Sequence, residues 1–327
     1  MKRSFSILII LSMLAFVLSG CSSTTSATSI KANWYTENSQ ENIVYINENL
    51  VYNVVYNAAT DKNTTLDVED FSGTYEMNFS SSSDFENYIL TTKLTTSGKY
   101  VNSVTSSETP FCNDTVETET TFKSVKNKLK PIKSNKKYNG HSPLNSGEIE
   151  LYQYEYDTVY EGSTATTTLI SHSDNITNQS ETKTFAKIDK TYTYFDNDQL
   201  FFAIRSLDLG ESTSVSISSV IPIDEELKTI SVKVTDDEPY VSFNLKDLGV
   251  KENNVVLTDD KNVRTIKTYI GLNATMTGAT TTCYYAVKGD NYADYKARLI
   301  KMESPLPYDL GKMVYTISSV DYSELQP

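Results

Sequence analysis

The sequence predicts a mainly β protein built on an antiparallel sheet, with one or two short helices. Two observations lead there. Runs rich in Tyr, Thr, Val and Ile, broken by Gly, Asn and Asp, recur about a dozen times, a composition suited to pleated, half-buried strands. Against them, one segment, "DNDQLFFAIRSLDLG", carries an apolar stripe at helical spacing.

The elements follow in order. Lys2 and Arg3 precede an almost wholly apolar run from Phe5 to Leu18. That run is shorter than the about 20 residues a membrane-crossing helix needs, so a secretory signal over residues 1–20 is expected. The signal ends in Leu18-Ser19-Gly20-Cys21. This tetrapeptide resembles the lipobox of bacterial lipoproteins, in which small residues admit a dedicated peptidase and the cysteine becomes the new N-terminus. The resemblance implies cleavage between Gly20 and Cys21 and a diacylglyceryl group on the Cys21 sulfur. Cys21 is then an anchor, neither a nucleophile nor a ligand, and two acyl chains attach stably at about 0.8 kcal/mol per buried methylene. Residues 21–40 read as a Ser/Thr-rich tether, and residues 41–325 as one domain, undivided by repeats, low-complexity inserts or Pro-rich linkers.

Within the domain, "EIELYQYEYDTVYEGSTATTTLISHS" shows the strand period most clearly. Tyr152, Tyr154 and Tyr156 fall on one face, Gln153 and Glu155 on the other, and Glu161-Gly162 reads as a hairpin turn. Similar strands are expected in "NLVYNVVYN", "NYILTTKLTT", "TVETETTFKSV", "ETKTFAKIDKTYTYF", "TSVSISSVI", "KTISVKV", "VRTIKTYIG", "TTTCYYAV", "YKARLIKM" and "KMVYTISSV". In the helical segment Leu200, Phe201, Ile204 and Leu207 form the stripe, Asp196 or Asp198 is placed to cap the start, and Gly210 lies past the end. Such a helix suits the open side of a curved sheet.

Charge excludes some partners. Met1–Gly20 contains two basic residues and no acids, so its loss leaves 27 basic against 42 acidic residues, a formal −15. That balance argues against nucleic acid, which demands clustered Lys and Arg, and against electrostatic attraction to anionic lipid. The most basic stretch, "FKSVKNKLKPIKSNKK", places Lys126, Lys128 and Lys130 at alternate positions, as on a solvated strand face; an anionic contact patch is the other option.

Motifs of chemistry are sparse. His141 and His172 have no second imidazole or cysteine at metal-ligand spacing, so no metal is expected. No Gly-x-Ser-x-Gly elbow, Walker sequence or Gly-x-Gly-x-x-Gly is present, and no cofactor is implied. Paired acids at Asp67–Asp70, Glu225-Glu226, Asp236–Glu238 and Asp259-Asp260 are expected in turns. Glycoside hydrolysis requires two carboxylates converging across a cleft, which adjacency in a strand does not supply. Cys112 and Cys283 could form one disulfide or remain free; spacing does not decide.

The C-terminal half carries an ordered set of features: "DQLFFAIRSLDLGES", "TSVSISSVI", "LKTISVKV", "VRTIKTYIG", "CYYAVKGDN" and "YKARLIKMESPLPYDLGKMVYTIS". This order resembles the DUF3108 family of secreted proteins, with Arg205, Gly210, Asp290 and Gly311 at matching positions. "TFKSVKNKLKPIKSNKKYN" is similar to the family's strand entering a Leu-x-Pro turn. The Tyr284-Tyr285 pair and the long insertion "TDDEPYVSFNLKDLGVKENN" depart from the pattern. The resemblance implies a large, strongly curved, half-barrel-like antiparallel sheet, related in shape to carriers of lipid or lipoprotein and without an enzymatic role.

The functional expectation is a non-enzymatic lipoprotein outside the cytoplasm, held on the outer face of the cytoplasmic membrane by the anchor on Cys21. There are 23 tyrosines against a single tryptophan. On the inner face of a bent sheet they could line a groove for a lipid, a glycan or a peptide; on the outer face they are cross-strand partners. Tyr152, Tyr154, Phe201 and Phe202 are the candidate contacts for a hydrophobic or amphipathic ligand. The alternatives are a structural or adhesive envelope protein, and an envelope-glycan hydrolase using paired carboxylates.

Overall fold

The computed structural model describes residues 46–324 apart from 61–63, 82–86, 126–127, 145–146, 163, 172–180, 186–193, 208, 211–212, 222–225, 272–279 and 288–296. Gly20, Cys21, the tether, His172 and Asp290 therefore lie outside the described residues.

The first half is a meander of long strands: β1 (Ile46–Ala58), β2 (Leu66–Ser81), β3 (Tyr88–Asn102), β4 (Glu108–Val125), β5 (Lys128–Pro143), β6 (Ile149–Glu161), β7 (Thr164–Ser171) and β8 (Glu181–Phe185). Each pairs antiparallel with the next up to β8. Short β9 (Tyr194–Asp196) leads into the helical segment Asn197–Ser206, α1, whose central turn is α-helical and whose ends are 3-10.

The second half supplies β10 (Ser214–Ile221), β11 (Glu226–Val234), β12 (Tyr240–Asn244), β13 (Lys251–Glu252), β14 (Val255–Val256), β15 (Asn262–Gly271), β16 (Thr281–Ala286), β17 (Leu299–Pro305) and β18 (Gly311–Glu324). β18 pairs along the length of β1 and joins the halves. From that seam the sheet continues through β17, β16, β15, β11 and β10 to β9, which pairs parallel to β10. β8 and β9 are the two ends, and no ladder closes them among the described residues. The long insertion supplies β12, which lies on β15 beyond β11, and β13, which runs parallel to β18 where β17 has ended.

Curvature comes from bulges, which bend a strand and increase its twist. Register shifts occur at Val51/Tyr52, Glu69/Ser72, Thr96/Gly98, Thr121/Phe122 and Tyr284/Tyr285. At Gly98 an added Cβ would lie 3.0 Å from the Glu69 carbonyl oxygen, so two adjacent bulges share a place where only hydrogen fits comfortably.

The concave face is filled rather than hollow. Leu50, Tyr52 and Val54 of β1, Tyr75, Met77 and Phe79 of β2, and Met313, Tyr315 and Ile317 of β18 are buried at alternate positions. α1 lies across this face with Leu200, Phe201, Phe202, Ile204 and Leu207 buried. The Phe202 ring stacks on Phe79 at 4.6 Å, and Tyr285 of β16 donates to the Phe201 carbonyl at 3.1 Å, so the helix ties both halves together. Asp196 is its N-cap: the carboxylate accepts from the Asp198 N–H and the Gln199 side chain accepts from the Asp196 N–H, a capping box. The expected cap and plug are thus both present.

The run of lysines divides between faces. Lys123, Lys130 and Lys133 are exposed, whereas Lys136 shares the inner face with buried Ser134 and Tyr138. It reaches Asp198 at 2.9 Å. The acids Asp67–Asp70 correct another expectation, since they open β2 rather than occupy a turn, with Asp70 at φ 51° in the bulge.

Candidate functional site

A concavity of about 440 Å³ lies where β2, β1 and β18 run together beside the β13–β14 turn. Register builds it. Asn49 of β1 stands opposite Asp321 of β18 and opposite Asn78 of β2. Asn47 stands opposite Ser323, one pleat further along, and Ser80 also lines the cleft. Directly opposed residues share a face, and here the face is the one opposite Leu50 and Tyr52. The result is a grid of short amides, hydroxyls and one carboxylate spread over three strands.

Asn253 and Asn254, at φ 46° and 65°, turn the chain along one border. The Asn253 side-chain oxygen accepts from the Tyr322 N–H at 3.1 Å, fixing that border to β18. Within the grid, Asn49 and Asp321 each hold one buried Oδ1 without a hydrogen-bond partner.

Behind the cleft sits a buried charge cluster. Glu48 accepts from Arg205 Nη1 at 2.5 Å and from Arg298 Nε at 2.5 Å, and all three residues are buried. Burial alone would raise the Glu48 carboxyl, but the charges and hydrogen bonds of Arg205 and Arg298 outweigh it and hold the group at about 2. Arg298 also lies 5.3 Å from the centre of the Tyr322 ring. The cluster fixes the inner side of the β1–β18 seam, and Glu48 and Tyr322 themselves line part of the cleft.

A second, much smaller cavity of about 50 Å³ lies on the concave face between Tyr75, Thr92, Thr118, Lys136, Asn197 and Asp198. Thr92 and Thr118 share a hydrogen bond of 2.7 Å, and the Asn197 Oδ1 is buried without a partner. Its size suits a few waters. Neighbouring Asp196 is wholly buried and accepts from Ser134 at 2.5 Å and from Tyr160. Burial first and the Asp198 charge second raise its carboxyl to about 6, against those hydrogen bonds. Asp196 does not line the cavity, so the two acids do not form a cleft-facing pair.

The candidate ligand contacts fall elsewhere than expected. Tyr154 is buried and stacks on Tyr138 at 5.0 Å; Phe202 is fully buried against Phe79. Phe201 is 7% exposed and touches the small cavity, while Tyr152 is partly buried against the same core. Tyr154, Phe201 and Phe202 belong to packed interior, where α1 fills the space an open groove would need, and Tyr152 lies at its margin. Cys112 is exposed, Cys283 is buried, and both are free, so the disulfide option is corrected.

His141 meets Asp114 through Nδ1, 3.0 Å from Oδ1, while its own backbone N–H donates to Oδ2 at 2.7 Å. This is a local clamp between β4 and β5. Asp236, Asp237, Glu238, Asp259 and Asp260 are exposed. Among the described residues no group of three His, Cys, Asp or Glu is placed to hold a metal, and no helix is long and apolar enough to cross a membrane. The asparagine grid and the Glu48 cluster went unnoticed in the sequence. The signal for the first was the alternation of Asn47 and Asn49, which acquires meaning only once β2 and β18 are in register.

No family model matches the chain, including one for the family that its C-terminal half resembles, and no curated protein is similar to it. Among solved structures it is similar to a β-barrel-like protein of the domain of unknown function DUF1849 from Brucella abortus. The identity is 9% over 86% of this chain and 99% of that one, with a TM-score of 0.48. A porin-like protein from Bacteroides uniformis is 7% identical over 86% of this chain and 96% of its own, with a TM-score of 0.20.

Proposed function

We propose that this protein is a non-enzymatic binding lipoprotein, anchored outside the cytoplasm through Cys21, that takes a hydroxyl-rich ligand such as an envelope glycan in the asparagine cleft. One observation carries the ligand class. The cleft, at about 440 Å³, is within the range of about 300–1,000 Å³ usual for ligand sites, while the cavity on the concave face is about 50 Å³. Its amides and hydroxyls both donate and accept, as sugar hydroxyls do, and Tyr322 adds an aromatic edge. The lipobox-like Leu18-Ser19-Gly20-Cys21 supports the anchoring.

An acyl chain within the sheet is the less favoured ligand, since α1 would have to leave its place against Phe79 and Phe122. The test is binding of the purified mature chain to a panel of neutral and acidic oligosaccharides. Expected is saturable binding, weakened at least tenfold in a variant carrying Asn47→Ala and Asn78→Ala. Equal binding by that variant, or no oligosaccharide bound and lipid recovered by extraction and mass spectrometry, overturns the proposal.

A further inference from the structure

We propose that the Asn49–Asp321 pair is a site for a hard divalent cation, with calcium the expected occupant. The two residues are cross-strand partners, which places their Cβ atoms about 4.5–5.5 Å apart. Each has a buried Oδ1 that accepts no hydrogen bond. Acceptor oxygens without donors on two directly paired residues are a costly arrangement in a protein. A single cation between them satisfies both at once.

The donor set selects the metal class. Asn49 and Asp321 supply oxygen only, Asn78 stands opposite Asn49 as a second amide, and the open cleft leaves room for waters. All-oxygen shells suit calcium and magnesium, and calcium accepts the irregular geometry and amide oxygens that magnesium resists. Asp321 pairs with no arginine among the described residues, whereas Glu48 is already held by Arg205 and Arg298. Affinity therefore belongs in the weak range of extracellular calcium modules, about 10⁻⁴–10⁻³ M. Open coordination positions on the cation would receive ligand hydroxyls; only this clause rests on the proposed glycan reading.

The test is terbium luminescence of the acylated chain in detergent, sensitised by Tyr322 at the cleft, with calcium as competitor. Expected is a saturable signal displaced by millimolar calcium, at least tenfold weaker binding in Asp321→Asn, and at least tenfold tighter binding in Asn49→Asp, which adds a carboxylate. Terbium affinity unchanged in both variants, or no calcium-displaceable signal, overturns the cation site. Oligosaccharide binding is measured in parallel with and without chelator. Cation binding without any oligosaccharide binding keeps the site and rejects the glycan reading. Chelator-insensitive oligosaccharide binding with variant-insensitive terbium does the reverse.

Discussion

Arg205 and Glu48 lie 157 residues apart and meet through two hydrogen bonds, at 2.5 and 3.3 Å, inside the protein. Arg205 ends α1 and Glu48 begins the buried face of β1, so this contact fastens the helix to the seam of the sheet. Arg298, just before β17, completes the cluster from a third element. Two cations therefore converge on Glu48.

That count orders the mutants. Glu48→Gln removes a carboxylate that two buried guanidiniums share, whereas Arg205→Met leaves the Glu48–Arg298 pair in place. Breaking a buried pair from one side typically costs about 3–5 kcal/mol. Urea unfolding is expected to show Glu48→Gln losing about that much and Arg205→Met clearly less. Equal losses would mean that the second arginine gives Glu48 no support.

Two buried acids, Asp196 and Glu48, act in opposite pH windows. The Asp196 carboxyl is raised from 3.8 to about 6 by burial and by Asp198, so its contribution is fully present below about pH 3.8 and is lost as pH rises through about 6. Glu48 is held at about 2 against an unfolded value of 4.5, so its contribution is present above pH 4.5 and lost as pH falls toward 2. Asp196→Asn keeps a capping oxygen but removes the first titration. The stability difference between wild type and Asp196→Asn is expected to shift toward wild type by on the order of 2–3 kcal/mol between pH 7 and pH 4, read from urea midpoints. A flat difference refutes the assignment.

Gly311 opens β18 at φ 128°, where an added Cβ would stand 2.1 Å from the Asn57 carbonyl oxygen and 2.7 Å from the Ala59 nitrogen. Both obstacles are backbone of the facing strand, and neither can rotate aside. Gly311→Ala is expected to cost more than about 3 kcal/mol, at the upper end of single-residue effects, by splaying the β1–β18 seam. Gly147→Ala makes the control, since its φ of 82° is strained while nothing lies within 4 Å of the added carbon. A similar loss in both would assign the effect to dihedral strain alone.

Strand class and much of the inner face were legible because alternation is local. Tyr154 and Tyr156 are buried while Leu151 and Asp157 are exposed, as a period of two requires. The α1 cap and stripe were legible for the same reason. The long strand β2 was not, since its Asp and Glu residues and its Ser72-Gly73 pair resemble a turn while lying in and around a bulge. The insertion was read as a departure, yet it provides β12 and β13, whose partners lie in β15 and β18. Sites built by register are the hardest to foresee: Asn49, Asn78 and Asp321 are unremarkable apart and form one row only through two strand pairings. Tyr154, Phe201 and Phe202 were ambiguous in the sequence because an aromatic suited to a groove is equally suited to a core, and only the placement of α1 shows them packed.

Thiol counting tests the anchor and the fold together. The mature chain contains three cysteines. The proposed acylation would consume the Cys21 sulfur; Cys112 is exposed, and Cys283 is buried with its thiol pushed upward by that burial. A buried thiol of raised pKa reacts slowly, because the thiolate is the nucleophile. Titration of the membrane-extracted protein with a chromogenic disulfide is expected to yield one thiol in native buffer and two in denaturant. An extra thiol under both conditions would show that Cys21 is unmodified, and the loss of both would reveal a Cys112–Cys283 bond. Substituting Cys112→Ser should abolish the native reaction and leave the single buried thiol to appear with the rate of global unfolding.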